Sequence, residues 1–279
     1  MPTVDLAAGP IHYVEHGDGP AVVLLHGLLM NHTVWDEVID RLPAGFRYVR
    51  PDLPLGAHPE PMRPDADLSL HGLNRLVADF LAALGLTDAT LVHSDWGGAL
   101  FLTAYGLDER VGRLILLPCE AFDNFPPGLP GKMAVLASRI PGGLPLALRQ
   151  LRVSWLRKTP LLLGWMARRP LRDDLVRAWT EPGLRSKEVR RDLRKYVATH
   201  CTATELVADT EALQHFTGPA LVLWSSAGKV MPRSHGRRLA NLMPNGTLVE
   251  VDDAYVLSML DRPETIARAM SEFLVAKRP

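Results

Sequence analysis

This chain has little that would tie it to a membrane, a nucleic acid or an oxidising compartment. Cysteine occurs only at positions 119 and 201. Two in 279 residues do not make a disulfide framework, so free thiols and a cytoplasmic setting are expected. The opening MPTVDLAAGPIHYVEHG has no basic segment followed by an apolar run, so no signal peptide is expected. No apolar stretch reaches spanning length, which leaves no membrane span. The formal net charge is +0, which argues against a nucleic-acid partner. Zinc-ligand spacing, a phosphate-binding glycine loop and a dinucleotide fingerprint are all missing, so neither metal nor cofactor is expected. Histidine is absent after His235, and that gap bears on the chemistry below.

The hydrophobic residues, 47% of the chain, are arranged in a readable order. AVVLLHG, ATLVHS, RLILLPC and ALVLWSS are short continuous apolar runs, as expected of parallel strands buried on both faces. PIHYVEHG alternates, like a strand exposed on one side, and FRYVRPDLP and GTLVEVDD complete the strand set. Helices are expected at TVWDEVIDRL, at LSLHGLNRLVADFLAALGL, at WGGALFLTAYGL directly after a strand, at SHGRRLANLM and at PETIARAMSEFLVA. Strand–helix alternation implies a doubly wound, mostly parallel α/β sheet. Between about residues 120 and 215 the alternation gives way to helical segments broken by Pro and Gly. The organisation read from this is a core of residues 1–119 and 216–279 with a helical cap, 120–215, over the carboxyl ends of the strands. From Lys132 to Lys195 the chain carries 16 Lys and Arg against 5 Asp and Glu. A solvated helical face is the ordinary reading of such a run; an attractor for an anionic or peptidic substrate, or a rest on an acidic surface, is the sharper one.

The stretch LVHSDWGGAL, residues 91–100, reads as strand, tight turn and helix. Aligned on its glycines, it puts Asp95 where a sharp turn presents a nucleophile, with Gly97 two residues later. Ser94 competes for that place, but Trp96 would then stand where the turn needs a small residue. A plain helix cap is the alternative role for Asp95.

With these motifs the chain resembles the α/β-hydrolase superfamily over essentially its whole length. DWGG is similar to the haloalkane dehalogenase and epoxide hydrolase branch, which uses an aspartate nucleophile. The resemblance implies that Trp96 binds a leaving halide and that Glu120, in LLPCEAF, is the catalytic acid. It also implies that the N–H of Leu28, after LLHG, is an oxyanion donor. Three positions depart from the pattern. Leu28 stands where an Asn often gives a second halide contact, and Gly228 where serine-type relatives carry an Asp. Val256, in DAYVLSMLDRP, stands where the catalytic His belongs. Epoxide opening would call for two cap tyrosines, and this cap has only Tyr196.

An Asp nucleophile becomes an ester, and releasing that ester requires water activated by a base. Valine accepts no proton. His93, on the elbow strand, reads as a hydrogen-bonded structural residue before it reads as a base. His200 could reach inward, and Tyr255, beside the vacated position, could act as a weak acid or simply pack. Trp155, Trp165, Trp179, Phe122 and Phe125 are expected to build cap core or pocket wall.

Three functions remain open. The first is a dehalogenase-like hydrolase acting on a small or medium organic molecule, or a modified peptide, with Asp95 and Glu120 catalytic and Leu28, Trp96, Tyr255 and Val256 around the substrate. The second is an epimerase, isomerase or cyclase of natural-product tailoring. In that case Glu120 would be the base, because a helix N-terminus at Asp95 would favour its ionised, weakly basic form. The third is an inactive binding protein.

Overall fold

The computed structural model describes residues 1–276. Eight strands form one sheet: β1 (Thr3–Leu6), β2 (Gly9–His16), β3 (Ala21–Leu24), β4 (Arg47–Pro51), β5 (Ala89–Asp95), β6 (Val111–Cys119), β7 (Ala220–Ser225) and β8 (Gly246–Val251). Their order is β1-β2-β4-β3-β5-β6-β7-β8. Only β1–β2 and β2–β4 pair antiparallel; from β4 to β8 every pair is parallel. The doubly wound sheet read from the sequence is therefore present, with β1 as an added edge strand that the patterning did not signal. All residues of β3, β5 and β7 are buried, as continuous apolar runs in parallel strands require. Each Leu or Val so buried contributes about 1.5–3 kcal/mol relative to exposure.

The helices are α1 (Asp36–Ile39), α2 (Leu70–Ala83), α3 (Gly128–Arg139), α4 (Gly143–Leu151), α5 (Ser154–Arg157), α6 (Asp173–Arg185), α7 (Lys187–Val197), α8 (Ala203–Glu211), α9 (Arg233–Leu242), α10 (Ser258–Asp261) and α11 (Pro263–Val275). Six of them, α3 to α8, lie between β6 and β7. One apolar core continues from the sheet into this segment through Trp179, Leu193 and Tyr196.

Two expected helices are much reduced. The segment TVWDEVIDRL forms only a 3-10 turn, His32–Trp35, and the four-residue α1. Val34, Val38 and Ile39 are buried as its amphipathic pattern implies, but Leu42 is only half-buried. Asn31 caps the turn, and the Trp35 indole N–H donates to the Leu25 carbonyl at 3.0 Å, so side-chain anchors fix the chain before a long helix develops. The helix expected from Trp96 to Leu107 is a series of turns. Its cause lies at the site itself: the Gly98 N–H donates to Glu120 Oε1 at 2.8 Å, and the Gly98 carbonyl accepts from Asn74 Nδ2. Gly98 itself takes a left-handed φ of 70°, which interrupts a right-handed helix, and its carbonyl, which a helix would use, is held by a residue on another element.

Candidate active site

The turn after β5 is built by close approach. Asp95 has φ 55°, a left-handed conformation that costs a non-glycine residue on the order of 1 kcal/mol. A side-chain carbon at Gly27 would overlap the Asp95 carboxylate, so only glycine fits beneath it. Gly98, with φ 70°, abuts Leu73 and the Tyr196 hydroxyl in the same way.

The opposing loop is fixed by His26. Its Nε2 accepts the Leu53 N–H at 2.8 Å, so Nδ1 carries the proton and donates to the Gly27 carbonyl at 2.9 Å. Burial holds the His26 pKa down to about 4, which keeps the ring neutral for that role. The Leu29 N–H is spent on the Leu55 carbonyl, while the N–H groups of Leu28 and Trp96 lie on the side of Asp95 and favour its ionised form. Ser94 Oγ instead donates to the Leu25 carbonyl at 3.3 Å, away from the open space.

Asp95, Trp96 and Leu28 line a cavity of about 240 Å³ whose other walls are apolar except for Gln150, among them Met30, Met133, Leu151, Leu163, Met166 and Val230. Burial raises the Asp95 pKa to about 7; the Glu120 charge raises it further, and the Trp96 and Leu28 N–H groups oppose the shift. This overturns the expectation of a readily ionised, weakly basic Asp95 at a helix N-terminus: no regular helix follows it, and desolvation dominates.

Glu120 lies directly beyond the end of β6 and is fully buried. Besides Gly98, its partner is His93, whose Nε2 lies 3.2 Å from Oε2. Both oxygens are therefore engaged, and Glu120 is not among the residues lining the cavity. As the base of a proton-transfer reaction it is badly placed; the carboxylate that meets the cavity is Asp95. His93 Nδ1 has no partner among the described residues. His93, Cys119 and Glu120 bring three metal-binding donor atoms within 4.8 Å of one another. Yet Glu120 is already bonded, and burial raises the Cys119 thiol pKa well above its usual value, which makes it a poor metal ligand.

Trp96 packs edge-on against Phe125, ring centres 5.3 Å apart, and at a tilt against Tyr196 at 5.6 Å. Its Nε1 and the Tyr196 hydroxyl are both buried donors without a partner. Burial, with the charges of Glu120 and Asp95, raises the Tyr196 pKa well above the usual phenol value, so it stays protonated.

The remaining expected residues lie elsewhere. Val256 is fully buried, and neither it nor Tyr255 lines the cavity. The Tyr255 N–H donates to Asp261, which also accepts from the Arg168 and Arg169 N–H groups, and the Leu257 N–H donates to the Met166 carbonyl at 2.8 Å. The loop after β8 is thus tied to the helical segment above it. Gly228 leaves no carboxylate after β7. Of the aromatic residues expected as core or wall, Phe122 and Trp179 are buried and Phe125 packs on Trp96. Trp155 is 70% exposed and does not fit that expectation.

Residues 22–269 match the model of the Alpha/beta hydrolase family. Haloalkane dehalogenase 2 of Mycobacterium tuberculosis is 26% identical over 287 aligned residues, covering 96% of this chain and 92% of that protein. A haloalkane dehalogenase of Mesorhizobium japonicum is 33% identical over 136 residues, covering 47% of this chain and 43% of its own length. An uncharacterized protein of Mycobacterium tuberculosis is 38% identical over 102 residues, 36% of this chain and only 29% of that relative. The crystal structure of an ancestral haloalkane dehalogenase superposes with a TM-score of 0.75 at 22% identity, covering 98% of each chain. A thermophilic esterase from Thermogutta terrifontis gives 0.71 at 20% identity, again over 98% of each. At that identity these structures show a shared fold and nothing finer.

Proposed function

We propose, from the premise that this chain belongs to the alpha/beta hydrolase family, that it is a dehalogenase-like enzyme in which Asp95 displaces a leaving group from an apolar organic substrate. The substrate binds beneath a cap formed by residues 120–215. The observation that carries the reading is the placement of Asp95: a strained turn presents its carboxylate to a cavity whose other walls are apolar except for Gln150, with the Leu28 and Trp96 N–H groups favouring its ionised form. The ionised carboxylate attacks carbon, a C–O bond forms, and the bond to the leaving group breaks. The leaving group departs with the electron pair as an anion. Among the described residues Trp96 Nε1 is the unpaired donor on a cavity-lining residue that would receive it.

Release of the resulting ester is the slow half. Val256 supplies no base, and Glu120 is committed to His93 and Gly98. General-base assistance is worth about 10²–10⁴-fold, so its loss leaves a long-lived alkyl ester on Asp95. Bromoalkane offered to the protein should therefore liberate close to one bromide per chain in a rapid phase, with slow release afterwards. Asp95→Asn should liberate none. The same slow release from both proteins would overturn the reading.

One observation favours a second reading, proton transfer at a substrate carbon as in an epimerase or isomerase. An Asp95 pKa of about 7 suits a general base at neutral pH. Asp95-dependent deuterium uptake by substrate in heavy water, without bromide release, would select it.

A further inference from the structure

The mouth of the cavity is more apolar than a soluble substrate needs. Leu136, Ile140, Leu146 and Leu161 line the cavity and are each about half exposed, and Val153 and Trp155 are exposed nearby. These six account for most of the large hydrophobic side chains exposed among the described residues. They fall on α3, α4, α5 and the segments that flank them, and four of the six line the opening above Asp95.

The same stretch is strongly cationic. Residues 124–172 contain nine Lys and Arg and no Asp or Glu. Arg152, Arg157, Arg168 and Arg172 are offset by Glu181, Asp173, Asp253 and Asp174. Among the described residues, Lys132, Arg139, Arg149 and Lys158 make no ion pair, and all four are exposed.

We propose that this face docks on an anionic lipid bilayer, the apolar rim entering the boundary between headgroups and acyl chains while the four cations meet the headgroups. Aliphatic side chains and a tryptophan ringed by Lys and Arg are the composition that rests in that boundary. Charge separates this partner from a second copy of the chain, since a symmetric pairing through the patch would set the same uncompensated cations against each other. The cavity then opens toward the acyl region, so its substrate is an apolar molecule dissolved in the membrane. That last step rests on the reading of Asp95 given above.

Flotation of the full chain with vesicles tests the docking without any chemistry. Binding to phosphatidylcholine–phosphatidylglycerol vesicles is expected, weakened by about tenfold or more in pure phosphatidylcholine and in high salt. Arg149→Glu combined with Lys158→Glu should lower partitioning by at least about tenfold, and Trp155→Ala by about tenfold. None of the three side chains touches the cavity, and all are exposed, so folding is not at risk. No flotation, equal binding to both vesicle types, or a Trp155-dependent dimer in place of vesicle binding would each overturn the proposal. Bromide release from a short, water-soluble bromoalkane without vesicles reports Asp95 separately. If release fails while flotation holds, the chemical reading falls and the docking stands.

Discussion

At the carboxyl ends of β5 and β6 stand a carboxylate on the cavity and buried donors left without a partner among the described residues; after β8 the polar groups are mostly spent tying the loop to its neighbours. On the first side, Asp95 meets the cavity, Glu120 is held by Gly98 and His93, and Trp96 and Tyr196 keep donors without a partner among the described residues. On the other, Val256, Leu257 and Met259 are fully buried. Ser258 Oγ is the buried side-chain atom there without a partner. On the proposed function, the two regions would serve different halves of a two-step displacement. Forming an ester calls for a nucleophile and a place for the leaving group, and releasing it calls for a base. On that reading the two halves lie at separate strand ends, so one can be kept without the other.

The largest expected effect comes from rebuilding the missing side. Val256→His supplies an imidazole, but Glu120 is already engaged by His93, so the single change should accelerate ester release only weakly. Combined with His93→Val, which frees Glu120 Oε2, it should raise release by about 10²–10⁴-fold in multiple-turnover bromide assays. Equal gains from the single and double changes would show that the Glu120–His93 bond does not hold the site back.

Weakening the retained side comes next. Trp96→Phe keeps the ring contacts to Phe125 and Tyr196 but removes the indole N–H, and should slow the rapid bromide phase by about 10²-fold. A smaller effect appears in stability. The folded-state pKa of Asp95 lies above its unfolded value of 3.8, so ionising it in the folded protein is a cost that grows as pH rises from about 4 to about 7. Asp95→Asn removes that cost and should stabilise the fold by about 1–3 kcal/mol at alkaline pH, with less gain near the acid end of that window. Thermal unfolding at two pH values checks this. The gentlest probe is the pH profile of the rapid phase. The attacking form is the carboxylate, so the rate should fall about tenfold per unit below a pH of about 7 and level off above it.

The contrast between the two regions also explains what the sequence could disclose. Continuous apolar runs marked β3, β5, β6 and β7, because parallel strands buried on both faces leave no alternation to misread. Asp95 was legible because small residues on either side of a turn are a local requirement. Long-range bonds were not. The turns after Asp95 replace a helix where Gly98 turns left-handed and Asn74, more than twenty positions away, takes its carbonyl. The partner of Glu120 turned out to be His93, a pairing set by neighbouring strands and invisible to spacing. Trp155 was expected inside; no local rule distinguishes a tryptophan in a cap core from one on its surface.

The most direct test of the central claim is the intact mass of the protein after exposure to a bromoalkane, followed by peptide mapping. The account predicts a persistent gain of one alkyl group, located on Asp95 and absent from Asp95→Asn. An unmodified mass, or an alkyl group on another residue, would contradict it.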